Sequence, residues 1–302
     1  MASLNKRIIL LVKILVSGVF LYAVVSKTGI EKIASSLRDI SPFSFLLAVL
    51  IYLFSLLISA LRWQLLLHER FSFKRLLSFY MIGSFFNHIL PGIIGGDAVK
   101  AYYLYRDTGK GGSAVASVFM DRYIGFTALM FVGIIAFPFG LEYFRGSYIE
   151  WILPLIVLLF VAGSFVVFGL KLGKGIKFLT GFYGYFELYK GKGRTIMKTF
   201  AISLVIQVVI IFAIFVLSRG LKMDTPLLPF FMFIPIITTI SSIPVSIAGI
   251  GVREASFVLL FGSLGVSPTH ATAMSFAWFL SILTGSLPGL VEYIRYRKTM
   301  AC

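Results

Sequence analysis

Acids and bases stand at a few places where this chain is otherwise apolar. Asp97 and Lys100 follow the break Leu90-Pro-Gly-Ile-Ile-Gly-Gly96, and Asn87 and His88 precede it. Asp121-Arg122 interrupts the apolar run 113–138. Arg253-Glu254 follows Pro244 and the spaced glycines Gly249 and Gly251. Charged side chains at membrane depth are costly and by default mark a path or a site. Glycine amides at the start of a half-helix face a cavity ready for an anionic group such as a phosphate. An acid in that first turn is favoured by the helix dipole, which suits Asp97 if α-helix resumes near Gly96. The reading is a polar mid-membrane site in which Asp97, Lys100, Arg122, Arg253, Glu254 and Asn87 bind or pass a substrate. The backbone of Gly95, Gly96, Gly249 and Gly251 would receive an anion, and Pro91 and Pro244 would form the two tips. The alternative is a pair of internal salt bridges that let two structural breaks exist. Lys100 is expected near the cytoplasmic interface, its stem buried and its ammonium snorkelling. Adjacent helical residues diverge, so Arg122 can face the site while Asp121 anchors a neighbouring segment. Arg62-Trp63 reads as an interfacial anchor with the aromatic at the headgroups. Ser241, Ser242 and Ser246 read as partners for backbone freed by the proline. His88 reads as a helix contact, and His68 and His270 as interfacial. No second His or Cys stands at metal spacing, so no metal, cofactor or catalytic residue is expected.

The elements that must position these residues follow from composition. Charged residues make up 13% of the chain, against about 25% in soluble domains, and 59% is hydrophobic. With a mean hydropathy of +0.96, this is an all-α, polytopic membrane protein in one integral domain, 1–302. The formal charge of +16 fits basic cytoplasmic loops beside anionic lipid rather than nucleic acid. The one cysteine, Cys302, allows no disulfide framework within the chain. Lys110-Gly-Gly lacks the remainder of a phosphate loop, which excludes a nucleotide-driven pump of that type.

A spanning helix takes roughly 20 apolar residues. Six segments qualify: 8–25, 42–61, 113–138, 149–170, 199–218 and 270–292. The first lacks a small-residue cleavage pattern at its end and reads as a retained helix. Lys and Arg crowd the chain before 8, in 62–75, in 171–198 and after 292, whereas 139–149 and 219–226 are nearly neutral. The positive-inside rule then places both termini in the cytoplasm. By that count 76–105 leaves and returns to the cytoplasm, and 227–262 leaves and returns to the outside. They become two opposed re-entrant hairpins half a chain apart, a plan of inverted-repeat transporters. Two Pro/Gly kinks in ordinary spanning helices are the other reading. The loop 171–198 alternates Gly, Tyr, Phe and Lys and suits either an anionic membrane surface or solvent.

Taken together and in order, Arg62-Trp63, Asn87 with Leu90-Pro91-Gly92, Gly95-Gly96-Asp97-x-x-Lys100, Asp121-Arg122-x-x-Gly125 and Gly249-x-Gly251-x-Arg253-Glu254 resemble the lysylphosphatidylglycerol synthase transmembrane-region family. This flippase-like family is similar to the N-terminal half of the bacterial multiple peptide resistance factor. The resemblance covers nearly the whole chain. Lys100 stands where many relatives have arginine, which keeps the charge and loses the bidentate fork. The resemblance implies movement of a phospholipid or another lipid phosphate across the cytoplasmic membrane. It implies the flippase half alone, without aminoacyl transfer. A membrane-embedded transferase on lipid-linked substrates, or a non-transporting partner of lipid-synthesis enzymes, is the alternative. The expected partner is a membrane lipid, anionic or phosphate-bearing, and a homo-oligomer is compatible with the sequence.

Overall fold

The computed structural model describes residues 2–67, 69, 71–89, 95–143, 145–169, 187, 189, 191–243 and 245–301. The expected tips Pro91 and Pro244 and most of the loop 171–198 lie outside these residues. All the elements among the described residues are helical. α1 (Ala2–Thr28) turns at Gly29 into α2 (Ile30–Arg38), and α3 (Pro42–Leu66) follows. α4 (Phe73–Ile89), α5 (Gly95–Thr108) and α6 (Gly111–Gly140) come next, then α7 (Ile152–Ser164). The second half holds α8 (Gly193–Gly220), α9 (Leu228–Ser242), α10 (Val252–Gly262) and α11 (Pro268–Ala301).

Among the described residues, five helical segments are long and apolar enough to cross a membrane: α3, α6, α7 together with its flanking 3-10 and π turns (Tyr148–Gly169), α8 and α11; the bent pair formed by α1 and α2 makes a sixth candidate. These match the six expected spans, most with longer limits. α3 runs on to Leu66 and α8 begins at Gly193. A hydropathy reading stops at the first charge, whereas helical hydrogen bonds continue through it. That difference brings Arg62 and Trp63 inside α3. α2 was not expected. Its Ile30, Ile33 and Leu37 recur at helical spacing, and Ile33 is buried. Gly29, at φ 77, supplies the left-handed residue that lets the chain bend by 80° there.

α4 and α5 form an antiparallel hairpin. Asn87 meets Gly96, Phe79 stacks on Tyr103 at 5.4 Å, and Arg75 pairs with Asp107. The two backbones touch near the break. A Cβ on Gly96 would lie 1.8 Å from the Gly83 carbonyl oxygen, so only glycine permits this approach. α9 and α10 pack through Phe230, Phe233 and Phe261, with ring centroids 4.8 and 5.3 Å from Phe261. These rings belong to a core that also includes Phe257 and Met274. The connection 245–251 docks on α1. The Ile247 amide donates to Ser17 Oγ at 2.9 Å, and Gly251 at φ 84 sits where a Cβ would come within 2.7 Å of the Ser17 carbonyl.

Packing is reciprocal between the halves. α3 packs along α8; α4 packs on α11 as α9 packs on α6; α5 packs on α6 as α10 packs on α11. The middle of this arrangement is where the charged residues converge.

Candidate functional site

A cavity of about 400 Å³ opens between the two hairpins and the helices around them. Tyr52, Asp121 and Trp278 line it, and each sits ten residues beyond the first residue of its helix. At about 1.5 Å per residue that is roughly 15 Å along the axis. Its lining includes the apolar Ile206, Ile210, Ile234, Ile237 and Ile282. It also includes Asn87, His88, Lys100, Arg122, Ser241 and Arg253.

Five charged groups form a chain on the first-hairpin side. Arg62 Nε donates to Asp121 Oδ1 at 2.8 Å and its Nη1 to Ser203 Oγ at 2.9 Å. Asp121 Oδ2 accepts from the Tyr80 hydroxyl at 3.1 Å and lies 3.4 Å from Lys100 Nζ. Lys100 reaches Asp97 at 3.6 Å, and Arg122 grips Asp97 through Nε and Nη2 at 2.7 and 3.1 Å. Gly125 makes room for the Arg62 guanidinium, since a Cβ there would meet Nη1 at 2.9 Å. Arg122 stays half exposed. Its remaining nitrogen, Nη1, has no partner among the described residues.

The second hairpin carries a self-contained pair. Arg253 donates through Nε and Nη2 to Glu254 Oε1 at 3.1 and 2.7 Å, and Ser275 Oγ bridges both residues. Glu254 Oε2 accepts from the Gly251 amide at 2.6 Å and so caps α10. The guanidinium lies over the Phe279 ring, 4.9 Å from its centroid. Between the two clusters, the Tyr52 hydroxyl bonds Ser84 at 2.6 Å and His88 at 3.1 Å. A family model described as Lysylphosphatidylglycerol synthase TM region matches residues 10–289. The chain belongs to that family. A UPF0104 membrane protein of Methanothermobacter thermautotrophicus is 23% identical to this member, over 98% of the chain and 95% of that protein. One from Methanocaldococcus jannaschii is 22% identical over 97% and 94%. A third, from Pyrococcus horikoshii, is 30% identical over 37% of the chain.

In this member of the Lysylphosphatidylglycerol synthase TM region family, Asn87, Lys100, Arg122 and Arg253 line one cavity. Asp97 and Glu254 stand directly behind the two arginines as their carboxylates. Several expectations need correction. Lys100 does not snorkel: it is 1% exposed, held by two aspartates and by the faces of Tyr80 and Trp63 at 3.9 and 5.0 Å. The Gly96 amide is not free for an anion, because Asn87 Oδ1 accepts it at 2.9 Å. The Gly251 amide is likewise engaged by Glu254. Gly95 begins α5, and Gly249, at φ 77, packs against Ser241. Ser242 donates to the Thr238 carbonyl one turn back in its own helix, at 2.6 Å. Ser241 and Ser246 Oγ find no partner among the described residues.

Arg62-Trp63 is the largest correction. Arg62 is buried in the ion chain, and Trp63 is fully buried with Nε1 donating to Ser117 at 3.3 Å. The sequence held a signal for it. Tyr52, Ser55, Ser59 and Arg62 recur at intervals of three and four, a polar stripe down one face of an apolar helix. Thr199, Ser203 and Gln207 repeat the pattern on α8, where Gln207 lines the cavity and bonds the Gly125 carbonyl.

Proposed function

We propose that this protein translocates a phosphate-bearing membrane lipid across the cytoplasmic membrane through the cavity between its hairpins. The observation that carries the reading is that Arg122 and Arg253, from opposite halves of the chain, line one cavity. Guanidinium groups suit a phosphate by charge and geometry, and the lining isoleucines suit acyl chains. The arginines with Lys100, Asp97, Glu254 and Asn87 form the path for the headgroup. Purified protein in liposomes should move fluorescent phospholipid between leaflets faster than empty liposomes, and Arg253→Ala should slow it. Equal rates with and without the protein would overturn the reading.

The same proposal takes the two helix pairs as re-entrant hairpins from opposite faces, related by an inverted repeat, with both termini cytoplasmic. Support comes from length: α5, α9 and α10 hold 14, 15 and 11 residues, under the roughly 20 needed to span. The reciprocal packing of α4 on α11 and α9 on α6 is the pattern an inverted repeat produces. Single cysteines in a Cys302→Ser background test it. Ser72→Cys and Lys110→Cys should react from the cytoplasmic face, Lys222→Cys and Ser267→Cys from the other. A kinked spanning helix would put the two ends of one pair on opposite faces.

A further inference from the structure

The described lining of the cavity is buried or half-buried except at Arg122 on α6 and at Thr238 and Ser242 on α9. All three are polar, and they stand on two helices that pack together. α6 and α9 run antiparallel, with Gly140 against Met232 and Gly133 against Pro235. Continued along the two axes, that register carries Thr238 and Ser242 down to the turns of α6 that hold Phe126 and Arg122. The three exposed residues therefore mark one mouth, on the seam between α6 and α9. Thr238 and Ser242 stand four apart, on one face of α9. The Arg122 side chain is 51% exposed and that of Arg253 10%, so Arg122 belongs to the open end and Arg253 to the closed end.

The rim of this mouth is apolar. Ile243 and Val245, just past Ser242, are exposed. Phe119, one turn before Arg122, is exposed and stacks on Tyr123. Tyr123 and Phe126 in turn meet Phe160 of α7. Polar side chains on the outer surface of a membrane helix are costly unless water or a polar ligand meets them. A polar notch edged by hydrocarbon fits a molecule with a charged head and apolar tails.

We infer that the seam between α6 and α9 is a lateral portal, through which a lipid headgroup enters over Arg122, Thr238 and Ser242 while its acyl chains stay in the membrane beside Phe119, Ile243 and Val245. This rests on the translocation reading and adds to it the place of entry. Arg122 meets the phosphate first by charge. The Thr238 hydroxyl can donate to a phosphate oxygen in place of water. So can Ser241, which lines the cavity on the same helix and whose buried hydroxyl has no partner among the described residues. Ser242 has its hydroxyl committed to the Thr238 carbonyl and serves the portal by being small. Arg253 then receives the phosphate at the closed end.

The test uses the full chain in liposomes with phosphatidylglycerol labelled on one acyl chain, and leaflet exchange is read by quenching of the outer leaflet. Thr238→Trp and Ser242→Trp fill the portal and remove no ion pair. Each should slow exchange at least about ten-fold, the ratio that modest overpacking of the passage gives. Leu50→Trp on α3 and Val205→Trp on α8, exposed away from the seam, should leave the rate unchanged. In a Cys302→Ser background, Thr238→Cys should react with a water-soluble sulfonate-bearing methanethiosulfonate, and Val205→Cys, facing lipid, should not. Entrapped glycerol 3-phosphate should stay inside; its release at the lipid rate would make the mouth a route for free phosphate and overturn lateral entry. Unchanged exchange in both monodisperse portal variants, equal slowing by Val205→Trp, or an unreactive Thr238→Cys would overturn the portal while leaving translocation standing. Exchange by the unaltered chain at the protein-free rate would sink translocation and the portal with it.

Discussion

The two hairpins solve the same problem by different means. In the first, charge reaches between helices: Asp121 on α6 takes Arg62 from α3 and Lys100 from α5, while Arg122 on α6 takes Asp97 from α5. In the second, Arg253 pairs with its own neighbour Glu254. That hairpin joins the rest through aromatic packing, one hydroxyl on α1 and one on α11. The first hairpin is therefore fastened to the surrounding helices by its ions. The second carries its ions with it, and a displacement of α10 against its neighbours leaves its salt bridge whole. On the proposed translocation reading, the first hairpin would be the fixed side of the cavity and the second the side that shifts without breaking its salt bridge.

The largest effect should come from cutting the fastening. Asp121→Ala takes from Arg62 its carboxylate and from Lys100 the nearer of its two, and breaking a buried pair costs about 3–5 kcal/mol. Thermal unfolding in detergent should show a marked drop in midpoint, or the variant should fail to accumulate as monodisperse protein. An unchanged midpoint would mean that the first hairpin is held by packing alone. Arg253→Gln should cost less, about 3 kcal/mol, because Glu254 keeps the Gly251 amide and Ser275 while losing its cation. Arg253→Gln/Glu254→Gln should regain part of that loss, since the stranded acid is gone. If Arg253→Gln destabilises as much as Asp121→Ala, the contrast between the hairpins is wrong.

Those residues also show how far the sequence could be read. The six spans were legible because an apolar run long enough to cross lipid has few other uses. The two breaks were legible because proline, glycine and charge together are rare there. What escaped was partnership. Nothing in the order of residues says that Asp121 would bind Arg62, 59 positions away, and not its neighbour Arg122. The end of α3 was misplaced for a related reason: a charge following an apolar run looks like the membrane surface, yet a buried acid on α6 lets Arg62 continue inward. The freedom of the glycine amides was overestimated at Gly96 and Gly251 because side chains three to nine residues away turn back to cap them.

A smaller effect tests the close approach that aligns the first hairpin. Gly96→Ala puts a Cβ 1.8 Å from the Gly83 carbonyl oxygen, and relieving such overpacking by backbone shift costs about 2 kcal/mol. The shift would also lengthen Asn87 to Gly96 and move Lys100 away from Asp121. The midpoint should fall, and by less than in Asp121→Ala, since the ion chain can follow a small displacement. A loss as large as that of Asp121→Ala would assign the fastening to the backbone contact rather than to charge.

The smallest effect belongs to the contact that ties the second hairpin to α1. Ser17→Ala removes the acceptor for the Ile247 amide, a single hydrogen bond worth about 1 kcal/mol. Gly251 still packs against the Ser17 backbone, so the docking surface remains while its one directional bond is lost. Stability should therefore barely change. Amide exchange at Ile247 should quicken, because its N–H is released, while amides in the middle of α4 and α6 keep their protection. That pattern would show the second hairpin loosening as a unit against a first hairpin that stays fixed. Equal quickening in both hairpins would mean that they are coupled through the cavity walls, and the division into a fixed and a shifting wall would fail.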